Sequence, residues 1–208
     1  MIRLALVTLC ACVAAGVAAA ASPPQLLHPE TLHAKAPATY RVSFKTTKGT
    51  FVVTVHRAWS PRGADRFYNL ARAHFFDGVT FFRVVKNFVV QFGISGDPKV
   101  AAAWQPATIK DDPVKVSNTP GTITYADAGP DTRTTQVFVN YGSNTNLDGQ
   151  GFSPFGRVTS GMSVLNKLYG GYGEQPSNAQ QQIQTQGNAF LRKQFPKLDH
   201  IVTARISG

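Results

Sequence analysis

The sequence predicts a mostly β domain: a closed antiparallel β-barrel capped by about two helices. Short apolar or alternating segments recur along the chain and are separated by Gly, Pro, Asn and Asp, which is typical of strands joined by turns. About two segments place apolar residues at helical spacing, and many short strands with few helices favour such a barrel. The 208 residues suit one domain with a substantial core, which we place at residues 39–207.

Residues 1–21 have the plan of a secretory signal peptide. Arg3 precedes an uncharged, Ala-rich run over residues 4–21 that ends in small side chains. A membrane anchor is an alternative, since a span needs roughly 20 apolar residues, and lipidation at Cys12 is another. Cys10 and Cys12 both lie in this leader, so cleavage leaves a chain without thiols or disulfides, which tolerates an oxidising compartment. We therefore expect an exported bacterial protein, periplasmic or secreted, with no membrane span after cleavage.

The formal net charge of +10 raises the question of anionic partners. Lysines and arginines occur singly, as at Arg57, Arg62 and Arg66, and form no block of five or more. This pattern favours a solvated basic surface that attracts envelope polyanions nonspecifically. It gives no support for a specific nucleic-acid site.

The first elements of the domain follow a segment, residues 22–38, that contains four prolines and is predicted to be flexible or extended. Residues 40–46 and 50–56 alternate in polarity around a Gly-containing turn, which predicts a β-hairpin. Ser60 as N-cap and Pro61 at the first helical position then predict a helix to about residue 74.

The later elements are mostly short strands. The apolar segments that predict them are 80–85, 88–92, 121–126, 136–141, 155–158 and 198–206. A second helix is predicted where Met162, Leu165 and Leu168 share one face. The polar, Gln-rich stretch 174–186 is compatible with either a loop or a helix.

Known signatures of hydrolytic and nucleotide chemistry are missing from the chain. It contains no phosphate-binding Gly-x-x-x-x-Gly-Lys loop, no Gly-x-Ser-x-Gly elbow and no His-Glu-x-x-His pair. Its five histidines are scattered singly, so none is assigned to a metal. We expect neither a metal nor a cofactor.

The most unusual stretch is residues 81–93, where a few polar side chains interrupt a dense apolar run. Read as alternating strands, it places Arg83 and Gln91 beside Phe88 on one wall. Three further blocks follow. They are residues 125–132 (YADAGPDT), residues 135–139 (TQVFV), and residues 147–149 (LDG) with 155–158 (FGRV).

In these four blocks the chain resembles the cyclophilin family of peptidyl-prolyl cis-trans isomerases. The family signature has an arginine, a phenylalanine five residues later and a glutamine three residues after that, as at Arg83, Phe88 and Gln91. The other blocks resemble the family's Met-Ala-Asn-Ala-Gly-Pro-Asn-Thr loop, its Ser-Gln-Phe-Phe-Ile strand, and its Leu-Asp-Gly turn followed by a Phe-Gly-Lys-Val strand. The resemblance spans residues 40–206 and implies a cyclophilin-like barrel.

The resemblance implies an isomerase that speeds rotation about Xaa-Pro bonds in exported polypeptides without a cofactor. Arg83 is the implied catalytic residue. The implied substrate-binding residues are Phe88, Val89, Gln91, Ala126, Asp127, Ala128, Gln136, Phe138, Leu147 and Phe152. The phenylalanines assigned to the core instead are Phe51, Phe67, Phe81 and Phe155. We expect proline-containing polypeptides as partners and a monomeric protein.

The chain also departs from the family pattern. Phe82 stands where many members have histidine, and Asp127 replaces the loop asparagine. Near Phe152 the family's pocket histidine is missing and one residue is inserted, so this ring is expected to supply an aromatic wall instead. Residues 170–196 form a longer segment than in the minimal family member.

Two other functions remain open. The altered pocket is compatible with a module that binds proline-containing peptides with weak catalysis. The basic charge is compatible with an envelope-binding scaffold whose binding depends on salt. Arg83 argues against the first alternative, and the dispersed charge argues against the second.

Overall fold

The computed structural model describes residues 22–207, so the predicted leader lies outside the described residues. Eight strands form one antiparallel sheet. In chain order the strands are β1 (Thr39–Thr46), β2 (Gly49–His56), β3 (Arg83–Val85), β4 (Val89–Phe92), β5 (Thr122–Tyr125), β6 (Val137–Asn140), β7 (Pro154–Ser160) and β8 (Ile201–Ser207). The predicted hairpin is confirmed as β1 and β2, and each of the six later strand predictions overlaps one strand of the sheet.

The sheet is open, and the prediction of a closed barrel is wrong. The strand order is β3-β4-β6-β5-β7-β2-β1-β8, which leaves β3 and β8 as the edges of a half-barrel. The chain before β3 meets the chain before β8 through irregular hydrogen bonds, from Phe81 N to Asp199 O (3.0 Å) and from Ile201 N to Val79 O (2.8 Å). Because β3 has only three residues, it forms a ladder with β4 but none with β8.

Helices outnumber the two that the sequence predicts. The α-helices of residues 22–207 are α1 (Pro61–Arg72), α2 (Pro98–Trp104), α3 (Met162–Leu165) and α4 (Gln180–Gln194). The two predicted helices are confirmed as α1 and α3. α2 was missed, although Asp97 caps it by accepting a hydrogen bond from Lys99 N at 2.9 Å. α4 is broken at Gly187, whose φ is 60° and where a Cβ would lie 2.1 Å from Gly96 O.

None of the helices within residues 22–207 has the length and apolar character needed to cross a membrane.

The core is rich in phenylalanine and lies against one face of the sheet. The Phe44 ring contacts four other aromatic rings at centroid distances between 4.8 and 6.1 Å. The four phenylalanines that the sequence assigns to the core are fully buried, namely Phe51, Phe67, Phe81 and Phe155. Burial of such large apolar rings is the main force that holds the sheet in its curved form.

The segment 22–38 packs against the domain, whereas its composition predicts a flexible or extended segment. It contains two short 3-10 helices, Pro24–Leu27 and Pro29–Thr31. Leu26 is buried, and its carbonyl accepts a hydrogen bond from Trp104 Nε1 on α2 at 2.9 Å. Ala34 exchanges backbone-to-side-chain hydrogen bonds with Asn69 on α1, at 3.0 and 2.7 Å. These contacts outweigh the local preference of a proline-rich stretch for open conformations.

Candidate active site

The candidate site lies on the face of the sheet opposite the phenylalanine core, across β3, β4 and β6. Arg83 on β3 pairs with Gln91 on β4, and Gln91 pairs with Phe138 on β6, so the three side chains form a row on one face. We call this row the sheet wall. The neighbouring residues Val90 and Val139 pair with each other and belong to the core. The two-residue period of the strands therefore sends alternate side chains to the core and to the site.

A cavity of about 230 Å³ opens on the sheet wall. The residues that line it are Arg83, Phe88, Val89, Gln91, Ala126, Asp127, Phe138, Leu147, Phe152 and Gln180. All of these except Gln180 belong to the set that the family resemblance implies. Of the two other implied residues, Gln136 lies at the margin of the cavity, where it bonds Gln91, and Ala128 is exposed and does not line it.

The guanidinium of Arg83 is held by three partners. Its Nη1 donates to Gln91 Oε1 at 3.1 Å, and its Cζ lies 5.2 Å from the centroid of the Phe88 ring. Its Nε and Nη2 donate to the two carboxylate oxygens of Glu174, at 2.7 and 2.8 Å. The turn between β3 and β4 that leads to Phe88 includes Asn87 with a φ of 62°, a left-handed conformation that asparagine tolerates better than most residues.

Glu174 is a site residue that the sequence did not reveal. Its side chain is 49% exposed, and the hydrogen bonds from Arg83 hold the pKa of Glu174 below its usual range. Ser177 Oγ donates a further hydrogen bond to the same carboxylate at 2.9 Å. The extra length of residues 170–196 was the available signal, and it did not single out a residue.

A chain of side-chain amides continues across the site. Gln91 Nε2 donates to Gln136 Oε1 at 2.9 Å, and Gln136 Nε2 donates to Gln180 Oε1 at 3.0 Å. Gln180 is the first residue of α4, and sequence analysis missed it as well. Hydrogen bonds thus join both ends of segment 174–180 to the sheet side of the site, Glu174 to Arg83 and Gln180 to Gln136.

The apolar part of the cavity is formed by aromatic rings. Phe138 on β6 and Phe152 lie with ring centroids 5.9 Å apart in a T-shaped contact. Phe152 and Leu147 come from the loop that joins β6 to β7, and both line the cavity. Phe152 thus stands at the cavity, and its role as an aromatic wall for a bound peptide stays a prediction.

A polar network holds this loop in place. Asp148 accepts hydrogen bonds from Asn118 N at 2.9 Å and from Ser117 Oγ, and Asn118 Nδ2 donates to Phe152 O at 2.8 Å. Burial favours the neutral carboxyl, but the hydrogen bonds from Ser117 and Asn118 are stronger together and hold the pKa of Asp148 below its usual range. Asp148 therefore sets the position of the residues on either side of it.

The third side of the cavity is the loop that follows β5. Ala126 N donates to Gln136 O at 3.0 Å, which extends the pairing of β5 with β6 to the edge of the cavity. Asp127 accepts from Gly129 N at 3.2 Å, and burial raises the pKa of Asp127. Ala128 uses its backbone N–H within the loop itself, which agrees with its position outside the cavity.

The arrangement places a cationic hydrogen-bond donor at the edge of an apolar recess. Such a site is suited to hold an apolar ring while it donates hydrogen bonds to a neighbouring carbonyl or nitrogen. Among residues 22–207, no three His, Cys, Asp or Glu side chains are grouped so that they could hold a metal ion.

Comparison with known proteins gives a family and relatives by sequence and by fold. Residues 41–187 match the family described as cyclophilin type peptidyl-prolyl cis-trans isomerase/CLD. The peptidyl-prolyl cis-trans isomerase CYP18-2 of Arabidopsis thaliana is 34% identical over 130 residues, which cover 61% of this chain and 79% of that protein. A peptidyl-prolyl cis-trans isomerase of Acinetobacter baylyi is 30% identical over 143 residues, which cover 66% of this chain and 76% of that protein.

Solved structures show the same fold. A cyclophilin type peptidyl-prolyl cis-trans isomerase of Cryptosporidium parvum superimposes with a TM-score of 0.60 at 18% identity, over 82% of this chain and 98% of that one. A crystal structure of that protein in the presence of the dipeptide Ala-Pro gives a TM-score of 0.59, also at 18% identity, over 81% of this chain and 99% of that one.

Proposed function

Because the chain belongs to the cyclophilin-type peptidyl-prolyl cis-trans isomerase family, we propose that it accelerates rotation about Xaa-Pro bonds of exported polypeptides in the cavity beside Arg83. Isomerisation of this kind is the activity in the names of relatives from a plant, a fungus and a bacterium. The observation that carries the assignment to this cavity is the guanidinium of Arg83 at the edge of an apolar recess.

The reaction needs a hydrogen-bond donor and no covalent chemistry. Rotation about a peptide bond must break amide resonance, with a barrier of about 18–20 kcal/mol. In the twisted transition state the proline nitrogen regains its lone pair and becomes a better acceptor. Arg83 donates to that nitrogen or to the adjoining carbonyl, and this interaction lowers the barrier because it is stronger in the twisted state than in either planar state.

The rest of the cavity holds the peptide while one side of the bond turns. The rings of Phe88, Phe138 and Phe152 offer an apolar recess for the proline ring. Gln91 and the backbone at Ala126 offer polar contacts for the chain on one side of the bond. The crystal structure of the Cryptosporidium parvum relative in the presence of Ala-Pro supports a proline-containing peptide as the ligand class.

The test compares the purified protein with Arg83→Ala and with Arg41→Ala, a control at an exposed arginine on β1. We expect Arg83→Ala to reduce kcat/KM for a short Xaa-Pro peptide by roughly 100-fold or more, a loss typical for removal of a charged transition-state donor. Arg41→Ala should keep the rate of the unchanged protein. The measurement is the cis-to-trans conversion rate, with thermal unfolding of each variant as a check on folding.

Other outcomes point to the two alternatives. Peptide binding without acceleration by the unchanged, folded protein would establish a binding module in place of an enzyme. Strongly salt-dependent binding to anionic polymers that is indifferent to Arg83 would establish an envelope-binding scaffold.

We also propose that the protein is bacterial, is exported and acts as a monomer. The signal-peptide plan of residues 1–21 supports export. Within residues 22–207 the exposed large apolar side chains are Leu27 and Val202, which give no broad apolar surface for self-association. Expression with the leader, followed by N-terminal sequencing and sedimentation of the product, tests export and the monomeric state. A product that keeps residues 1–21, or that sediments as a dimer, would contradict them.

A further inference from the structure

Residues 170–196, which are longer than in the minimal cyclophilin, take part in the site through a carboxylate. The segment 174–180 reaches the cavity at two points, with Glu174 bonded to Arg83 and Gln180 bonded to Gln136. Glu174 is not among the residues that line the cavity, whereas Arg83, to which it bonds, is one of them. The contact through which Glu174 reaches the site is therefore its bond to Arg83.

The hydrogen bonds of Arg83 leave a defined pair of donors for a substrate. A guanidinium has five N–H groups. Glu174 accepts from Nε and from Nη2, and Gln91 accepts from Nη1. One N–H therefore remains on each of the two terminal nitrogens.

Without Glu174 the guanidinium would lose its strongest contacts. The Arg83 side chain is 24% exposed, so the surrounding protein does not enclose it completely. The contacts that would remain are the 3.1 Å hydrogen bond to Gln91 and the contact with the Phe88 ring. The two bonds to Glu174 are charge-assisted and bidentate, which fixes the plane of the guanidinium as well as its distance.

The Glu174 carboxylate also has contacts within its own segment, residues 174–180. Ser177 Oγ lies 2.9 Å from Glu174 Oε2 and 2.7 Å from Glu174 O and shares its single proton between these two acceptors, and Pro176, between Glu174 and Ser177, is buried. Behind the segment 174–180, α4 packs on a small apolar cluster. The cluster consists of Phe82, Ile94, Ile183 and Leu191. Phe82, the residue that replaces the histidine of many family members, is thus part of the support for this segment.

We propose that Glu174 is a positioning residue for the isomerase reaction: it fixes the plane of the Arg83 guanidinium, so that the two unengaged N–H groups are presented to the twisted peptide bond. This inference rests on the proposed function. It assigns to residues 170–196 a part in turnover, in addition to any part in folding.

The test uses the fact that the chain has two glutamates, Glu30 and Glu174. Glu174→Gln keeps the size of the side chain and removes the charge, and Glu30→Gln makes the same change at an exposed site that contacts His28. We expect Glu174→Gln to lower kcat by about 10-fold, the loss of roughly one charge-assisted contact, with KM changed less than about twofold. Glu30→Gln should match the unchanged protein in both constants.

Two further measurements separate positioning from a general structural effect. If Glu174 acts through Arg83, Glu174→Gln should cause no additional loss in the Arg83→Ala background, because the group that it orients is gone. The ¹⁵N signal of Arg83 Nε should be sharp and protected from exchange in the unchanged protein. In Glu174→Gln it should broaden or shift towards the value of a solvent-exposed arginine.

Three results would overturn the proposal. They are an unchanged or increased kcat in Glu174→Gln, an equal loss in both backgrounds, and an Arg83 Nε signal that does not respond to the substitution. Failure of the proposed function is a different result, in which the unchanged protein is folded and shows no isomerase activity at all. In that case the ¹⁵N measurement still decides whether Glu174 orients Arg83.

Discussion

The sheet wall and the segment 174–180 border the same cavity, but different forces hold them. The sheet wall is fixed by the backbone hydrogen bonds of β3, β4 and β6. The segment is attached through side chains, with Glu174 on Arg83 and Gln180 on Gln136. The fold therefore places the backbone of Arg83, whereas a side-chain contact orients its guanidinium.

The two regions also rest on different apolar clusters. The sheet belongs to the large phenylalanine-rich core, and α4 rests on the separate cluster of four buried residues that includes Ile183. A region with fewer buried apolar contacts opens at a lower free energy than the rest of the domain. We therefore expect α4 and the segment 174–180 to open locally while the sheet stays intact.

Replacement of one buried isoleucine by alanine in each region should affect them differently, with the larger loss of global stability in the sheet. Ile123 on β5 and Ile183 on α4 are 0% and 1% exposed. Ile123→Ala should lower the free energy of global unfolding by about 2–5 kcal/mol, the usual cost of removing this much side chain from a packed core. Denaturant titration followed by circular dichroism measures the loss.

Ile183→Ala is the matched variant, and its effect should stay local. We expect faster amide hydrogen exchange in α4, little change in the exchange of β1 and β2, and a lower kcat because the support of Glu174 is loosened. Exchange measured by mass spectrometry, with Ile123→Ala in parallel, checks this. A loss of global stability as large as that of Ile123→Ala would show that the two regions unfold as one unit.

A smaller effect is expected at the loop that carries Leu147 and Phe152. Asp148→Asn replaces charge-assisted hydrogen bonds from Ser117 and Asn118 with weaker neutral ones, so KM should rise about two- to fivefold. Peptide titration measures KM. An unchanged KM would mean that the loop keeps its position without the carboxylate.

The effect of Asp148→Asn on stability should depend on pH. Because the pKa of Asp148 is lowered in the folded state, the stabilisation from its carboxylate is fully present above the unfolded-state pKa of about 3.9. It is lost as pH falls through the lower folded-state pKa. The difference in thermal midpoint between the unchanged protein and Asp148→Asn should therefore shrink as pH is lowered from 7 to 3. A constant difference would contradict this assignment.

Part of the sheet wall was predictable because Arg83 and Gln91 are close in sequence. They lie on one hairpin, where alternation along β3 and β4 places them on the same face. Phe138 comes from β6, and the sequence placed it beside them only through the family resemblance. Glu174 was not predictable, since it meets Arg83 across 91 residues and lies in a polar stretch without a period. A contact of this kind depends on how α4 packs, which local patterns do not encode.

The wrong predictions about the fold have similar physical causes. The length and spacing of the strands predict a barrel, but they do not tell whether the two edge strands are long enough to pair, and β3 is not. α2 was missed because its seven residues are too few for a clear helical period, although Asp97 and Pro98 mark its start. The segment 22–38 shows a proline-rich composition, and that composition does not reveal that Leu26 and Ala36 are buried against the domain.

The position of β1 in the sheet has a consequence for the time at which the domain becomes complete. β1 lies between β2, its neighbour in the chain, and β8, at the far end of the chain. Thr47, just after β1, bonds Asp199, just before β8, and the two residues are 152 positions apart. Contacts between residues so far apart in sequence form late, because closing the long loop costs chain entropy before the contact adds stability. When the chain is synthesised from its N-terminus, the outer edge of β1 in the β1–β2 hairpin stays unpaired until β8 has formed. During that interval the isomerase is itself an incompletely folded polypeptide.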